Sequence, residues 1–479
     1  TWVNYNQTGY SQWFIIEFGP VDAPVVFNQT FCDSIELKST PIKTADTQGF
    51  SEITMTDAAG DTITELQYFT FTADEDVTLY GSFVRSDGQT CEMTSSQYSF
   101  DVEASPTLLV TNYNGTSDLL GGDTIVLYAS ADVGTISWID SSGTVFNTDT
   151  LYVTSPGTYT ARAITTNCET LKEIGIFSPL YVAKSGSDTT GTGSFTAPFL
   201  TIQTGIDSAS EGQKIYVLPG NYKEGELDFE TSSGVYKSVY LASDLVRTGD
   251  STAIASTKID ADGDGSIINI RGSNSSIIQG FTLTGQETSA WESSVIYLSN
   301  GANLHFKNIE IKGNTWIQDA QAHCLGIHNS SPIFEDVLIE GHGNSSTYTR
   351  ATSYISGSNT YATFTNVVWK DNFAWEFGIL GAWSGATVIA ENNLFIDNGH
   401  SYWRGIINIH SQSTVTLVNS TVANNLHSES QLISFCDANS TTRLNLINSV
   451  LGDMNNVDYQ IYNNGYNEAY VTARNSVVP

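Results

Sequence analysis

Glu376, His400 and Arg404 put a carboxylate, an imidazole and a guanidinium in one short stretch of the chain. If a repeating fold brought them to adjacent turns, they could supply an acid, a base and a group to hold a negative charge. Two of them stand beside an indole, since Glu376 follows Trp375 and Arg404 follows Trp403. Aromatic faces stack on sugar rings, while neighbouring His, Glu and Arg side chains hydrogen-bond hydroxyls and carboxylates. Trp316, His328, Trp375, Trp383, Trp403 and His410 are therefore candidates for a ligand-binding strip. All seven histidines fall between His305 and His427. The competing reading is structural, with the rings covering coil edges and stacking on one another. No tight multi-Asp motif accompanies them and the few Lys and Arg are dispersed, so the sequence leans away from an enzyme.

Asp260-Ala-Asp262-Gly-Asp264-Gly265 matches the first half of an oxygen-ligand calcium loop, with alternate carboxylates and a turn glycine. Arg271 stands where such a loop needs its bidentate Glu, which excludes an EF-hand and leaves a plain Asp/Gly turn as the alternative. Five cysteines are present. Cys32 and Cys91 lie beside strand-like segments of the same region and are the expected disulfide of an exported protein. Cys436 is expected to pack as a small apolar residue.

These residues must be positioned by a repeat. Gly280-Phe-Thr-Leu, Asn308-Ile-Glu-Ile, Asp336-Val-Leu-Ile, Asn366-Val-Val-Trp, Asn392-Asn-Leu-Phe, Asn419-Ser-Thr-Val, Asn448-Ser-Val-Leu and Asn475-Ser-Val-Val recur every 26 to 30 residues. Such self-similarity means stacked units, each burying its inner face against its neighbours. An anchor Asn at a bend can hydrogen-bond the same residue one coil away, about 4.8 Å along the stack. Counted from the anchors, Trp291, Trp316, Tyr348, Trp375, Trp403 and Tyr459 all fall in the same post-strand loop, with His427 breaking the series. In the next strand, Ile327-His328, Ala382-Trp383, Ile409-His410 and Phe435-Cys436 alternate inward and outward, which puts His328, Trp383 and His410 on one outer face. No capping segment follows the last anchor. The natural protein is expected to continue beyond Pro479, or another chain to cover that end.

Residues 180–222 run Tyr181-Val-Ala-Lys-Ser-Gly-Ser-Asp188, Gly191-Thr-Gly193, Pro198-Phe-Leu-Thr-Ile-Gln203 and Ile215-Tyr-Val-Leu-Pro-Gly-Asn-Tyr222. This segment resembles the opening of right-handed parallel β-helix proteins of the pectate-lyase-like superfamily. Phe199, Ile202, Ile206 and Ala209 share one face of a short helix that can plug the end of the stack. In that superfamily, lyases pair a Lys or Arg base with acidic calcium ligands and hydrolases use clustered carboxylates. Upstream, residues 105–178 carry Thr124-Ile-Val-Leu-Tyr128, Ile136-Ser-Trp138 and Gly157-Thr-Tyr-Thr-Ala-Arg162. They resemble the Ig-like modules of Bacteroidetes surface proteins, which implies a buried Trp138. The cysteine usual before Gly122-Asp123 is replaced by Leu119-Leu120, which leaves Cys168 without its family partner. Residues 1–104 alternate over short runs and read as an antiparallel sandwich.

The expected class is all-β, with β-sandwich domains at 1–104 and 105–178 and a parallel β-helix at 179–479. The net charge of −32 excludes nucleic acid and anionic membranes as partners. No apolar run reaches the length of a membrane-spanning helix. A chain beginning at Thr1 without Met suggests a removed signal peptide or a fragment, and the expected location is extracellular or at the cell surface. Eight Asn-X-Ser/Thr sequons are weak evidence in so Asn-rich a chain. The expected role is an adhesin-type protein whose β-helix presents a polysaccharide-binding or assembly surface. The alternatives are a polysaccharide lyase or hydrolase and a structural filament subunit.

Overall fold

The computed structural model describes the strand backbones within residues 2–103, Cys32–Asp33, and residues 104–478 except 116, 121–122, 264, 289–293, 317–322, 344–351, 376, 401–404, 428–430, 438–440, 453–458 and 464–468. The chain divides into two compact units, residues 1–176 and 177–479.

In the first unit, strands within residues 2–103 form a four-stranded and a six-stranded sheet. The expectation of a wholly antiparallel arrangement is corrected at one pair: Asn28–Cys32 runs parallel to Tyr98–Glu103, with Cys32 opposite Glu103. Residues 108–176 form a three-stranded and a four-stranded antiparallel sheet. Their core holds Ile125, Leu127, Trp138, Leu151, Val153 and Ala161. The Trp138 indole is fully buried and donates to the Asp149 carbonyl at 3.2 Å. The Tyr159 hydroxyl donates to the Ser155 carbonyl at 2.8 Å, tying one strand start to its own turn. The disulfide joins Cys32 to Cys168, which corrects the expected Cys32–Cys91 pair. Cys168 lies in the turn between Gly157–Ile164 and Glu169–Ile176, and the parallel strand pairing carries Cys32 to that turn.

The second unit is the parallel β-helix. Three parallel sheets of eleven, ten and eight strands run along it, called the first, second and third here in the order a coil passes through them. The helix Ile202–Ser208 caps one end and buries Ile202 and Ile206. Its first N–H groups donate to Glu224, from Ile202 N at 2.8 Å and Gln203 N at 2.9 Å. Inside the stack, Phe306, Phe334 and Phe364 lie face on face with ring centroids 4.8 and 4.9 Å apart, the spacing of paired strands. At the opposite end the strand Tyr470–Arg474 is exposed along its length, with Val471 45 % and Val477 57 % exposed.

The anchors are bends in left-handed backbone. From Asn308 to Asn475 each has φ between 49° and 56°, and Gly280 has 88°. Only Gly, Asn and Asp enter that region cheaply, which explains the residue types of the repeat. Asn366 donates to Asp336 at 2.8 Å, Asn392 to Asn366 at 3.2 Å and Asn448 to Asn419 at 3.2 Å. Five residues after each of the anchors from Gly280 to Asn419 a second bend follows, at Gly285, Gly313, Gly341, Asp371, Asp397 and Asn424. The next residue points inward, giving a buried polar column of Gln286, Asn314, His342, Asn372, Asn398 and Asn425. Each asparagine side chain donates to a carbonyl of the preceding coil, as Asn372 does to Ile339 and Asn398 to Trp369, both at 2.8 Å. Each accepts in return from the column's own backbone N–H one coil back, as Asn398 does from Asn372 at 3.1 Å. The column thereby satisfies buried backbone groups where the strand ladders break.

Candidate functional site

The third sheet contains Ser294–Ser299, His323–His328, Ser353–Ser356, Leu380–Trp383, Ile407–His410 and Gln431–Cys436. Alternation sends Ile296, Leu325, Leu380, Ile407 and Ile433 inward to full burial. The intervening positions face out in two columns. One runs Tyr297, Gly326, Tyr354, Gly381, Asn408. In the other, Ser299 pairs with His328, His328 with Ser356, Ser356 with Trp383, and His410 with Cys436. The sheet thus brings His328, Trp383 and His410 to one outer face.

Their rings make a continuous chain across the coils. Arg271 lies over Tyr297 at 4.7 Å, Tyr297 meets His328 at 5.4 Å, His328 meets Tyr354 at 5.5 Å, and Tyr354 meets Trp383 at 5.4 Å. Phe377 packs edge-on against Trp383 at 4.7 Å, and Trp383 stacks on His410. The His328 Nδ1 and the Ser356 hydroxyl are 2.6 Å apart. His410 is buried and its Nδ1 stands 3.9 Å from an Asp437 carboxylate oxygen. Glycines create the room: a Cβ at Gly381 would sit 2.9 Å from both the Phe377 carbonyl and the Trp383 Nε1. His328, Tyr354, Phe377 and Trp383 remain half-buried, so parts of their rings are at the surface.

The sequence missed Tyr297 and Tyr354; His323, one of the scattered ionisable groups of the repeat region, stacks on Tyr354 at 5.2 Å. Tyr297 and Tyr354 lie two residues before the column that His328 and Trp383 occupy, and that period-two offset was the available signal.

The remaining candidates are placed less fully. Trp375 is half-buried. Trp316 sits in a short strand whose backbone pairs with Thr288. His400 pairs with Ala374 on one side and His427 on the other. Glu376, Trp403 and Arg404 lie outside the described residues, and with them the expected Glu376–His400–Arg404 group. Of the calcium candidates, Asp264 also lies outside them. Asp262 is paired with Lys223 at 2.5 Å, and Asp260 accepts from Asn221 at 3.1 Å. Among the described residues no three His, Cys, Asp or Glu side chains are grouped to hold a metal, and no helix is long and apolar enough to cross a membrane.

No protein-family model and no curated protein matches the chain. Solved structures with some likeness include the family 28 exopolygalacturonase of Yersinia enterocolitica, 11% identical, covering 77% of this chain and 99% of that one at a TM-score of 0.19. XylC in complex with xylose is 10% identical, covering 62% and 70% at 0.30. The fibronectin(III)-like modules of Clostridium thermocellum CbhA are 17% identical, covering 32% and 90% at 0.20. Likeness at this level assigns neither family nor activity, and the fold rests on the strand pairing described above.

Proposed function

We propose that the chain is an extracellular, adhesin-type protein whose β-helix binds a polysaccharide along the outer face of the third sheet. The observation that supports this reading is the row of rings that starts at the buried Tyr297 and continues through the half-buried His328, Tyr354 and Trp383, advancing about one coil per ring. Imidazole, phenol and indole combine apolar ring surface with hydrogen-bonding atoms, the mixture that hydroxylated sugar rings require. The outer positions of the first sheet are more mixed: Tyr361, Thr387, Thr414, Arg443 and Tyr470 follow one another in successive coils, with Lys307 and Glu335 paired at 3.2 Å.

Titration of a panel of soluble polysaccharides by calorimetry tests the reading. Trp383→Ala and Trp375→Ala should each weaken a binding polysaccharide roughly tenfold, about 1.4 kcal/mol, in proteins whose melting temperature confirms folding. A panel without any binder, or folded variants with unchanged affinity, would overturn it. The same reactions scored for reducing ends and unsaturated products decide whether binding leads to cleavage, in which case the chain is an enzyme.

A further inference from the structure

The Cys32–Cys168 disulfide stands where residues 2–103, with their two sheets, give way to residues 108–176, with theirs. We infer that it is a redox-sensitive clasp on the connecting segment 103–107, and that its reduction frees this segment while leaving the sheets folded. The inference is independent of any ligand.

The connecting segment is fastened from both sides at this one place. Asp33, next to Cys32, donates its N–H to the Glu103 carbonyl at 2.7 Å. The Asp33 carboxylate accepts from the Ser105 N–H at 2.6 Å and the Ser105 hydroxyl at 2.5 Å. Asn167, next to Cys168, donates to the Glu103 carboxylate at 3.1 Å. The Thr107 N–H donates to Asp132, on the far side of the segment, at 2.8 Å. The Ser105 hydroxyl lies 3.0 Å from the Cys32 sulfur. Apart from the disulfide, all these ties are hydrogen bonds of partly or fully exposed groups, which water competes for. The S–S bond is the covalent member of the set and spans 136 residues of sequence.

The two sulfurs differ in access. Cys168 is 2 % exposed, whereas Cys32 is half-buried. A dithiol reductant therefore attacks at the Cys32 sulfur: a mixed disulfide forms there and the Cys168 thiolate leaves. The second thiol of the reductant then displaces Cys32, and the reductant departs as its own cyclic disulfide. Two electrons and two protons pass to the protein, which ends with two thiols.

Non-reducing peptide mapping of the full chain should yield a Cys32–Cys168 peptide. Amide hydrogen exchange with and without dithiothreitol then reads the clasp. The Ser105 and Thr107 amides should exchange at least tenfold faster on reduction, with the core strands Ile125–Ala131 and Gly157–Ile164 unchanged. The Cys32→Ser chain should match the reduced protein, and if it fails to fold the reduced natural chain still supplies the comparison. A Cys32–Cys91 peptide, or equal exchange in both redox states, would overturn the inference. So would faster exchange throughout residues 108–176, since the bond would then be a staple of the whole unit.

Discussion

His342 holds a position that asparagine holds in the coils on either side, Asn314 and Asn372. It does the work of one: its Nε2–H donates to the Ile311 carbonyl at 2.8 Å, in the place where Asn372 reaches Ile339. An imidazole sealed there is held neutral, because burial opposes its charge and lowers its pKa to about 4 from the ordinary 6.5. The unfolded chain takes up the proton first. The stability this residue contributes is therefore complete above pH 6.5, declines as pH falls, and is lost by about pH 4. The swing is about 3 kcal/mol. His342→Asn keeps the hydrogen bond and removes the titration. Urea midpoints taken from pH 7 to 4 should fall less steeply in that variant, and parallel curves would refute the account. Asp262 supplies a second test at this scale. Its Lys223 partner and the Asn221 contact to Asp260 already compensate the turn's carboxylates. Chelator is expected to leave the melting temperature unchanged, and a drop would point to a bound cation.

A coil is held at its bends by two kinds of residue, and they should respond differently to substitution. Asn366 sits at φ +56°, donates to Asp336 and accepts from Asn392. Asn366→Gly keeps the backbone accessible and loses only exposed side-chain bonds, about 1 kcal/mol. Asn366→Ala adds the left-handed penalty, for about 2 to 3 kcal/mol in all. Asn398→Leu goes further. It leaves the Trp369 carbonyl and the Asn372 N–H without the partners they have now, inside a sealed core, at about 3 kcal/mol or more. Denaturant titration should rank the three in that order. The outer bend was legible in the sequence because the left-handed backbone admits so few residue types. The inner column was not, although it follows the anchors at a constant distance. Asparagine reads the same whether it faces solvent or core, and Gln286 and His342 interrupt the run. The outward rings His328, Trp383 and His410 were legible from alternation alone. The disulfide was not, since a parallel pairing of Asn28–Cys32 with Tyr98–Glu103 leaves no mark in cysteine spacing.

Over the whole molecule the acid is uneven. Residues 1–178 carry 23 carboxylates against 5 Lys and Arg, and residues 179–479 carry 28 against 14, so a net −18 falls on the shorter part and −14 on the longer. The β-helix also neutralises part of its charge locally, with Lys370 lying 2.9 Å from both Glu340 and Asp371 and Lys307 beside Glu335. The first unit, by contrast, has no Lys or Arg between Arg85 and Arg162, while that stretch holds several carboxylates. Like charges that cannot separate raise the free energy of a compact state, and salt relieves them as the screening length falls from about 10 Å at 0.1 M to about 3 Å at 1 M. Two compact units predict two calorimetric transitions. Raising NaCl from 0.05 to 1 M should lift both, and the one belonging to residues 1–176 by more. Limited proteolysis along the melt assigns each transition to its unit. Equal shifts would mean that local ion pairs in the β-helix contribute little net neutralisation. A fall in both with added salt would mean that ion pairing, rather than repulsion, governs this acidic chain.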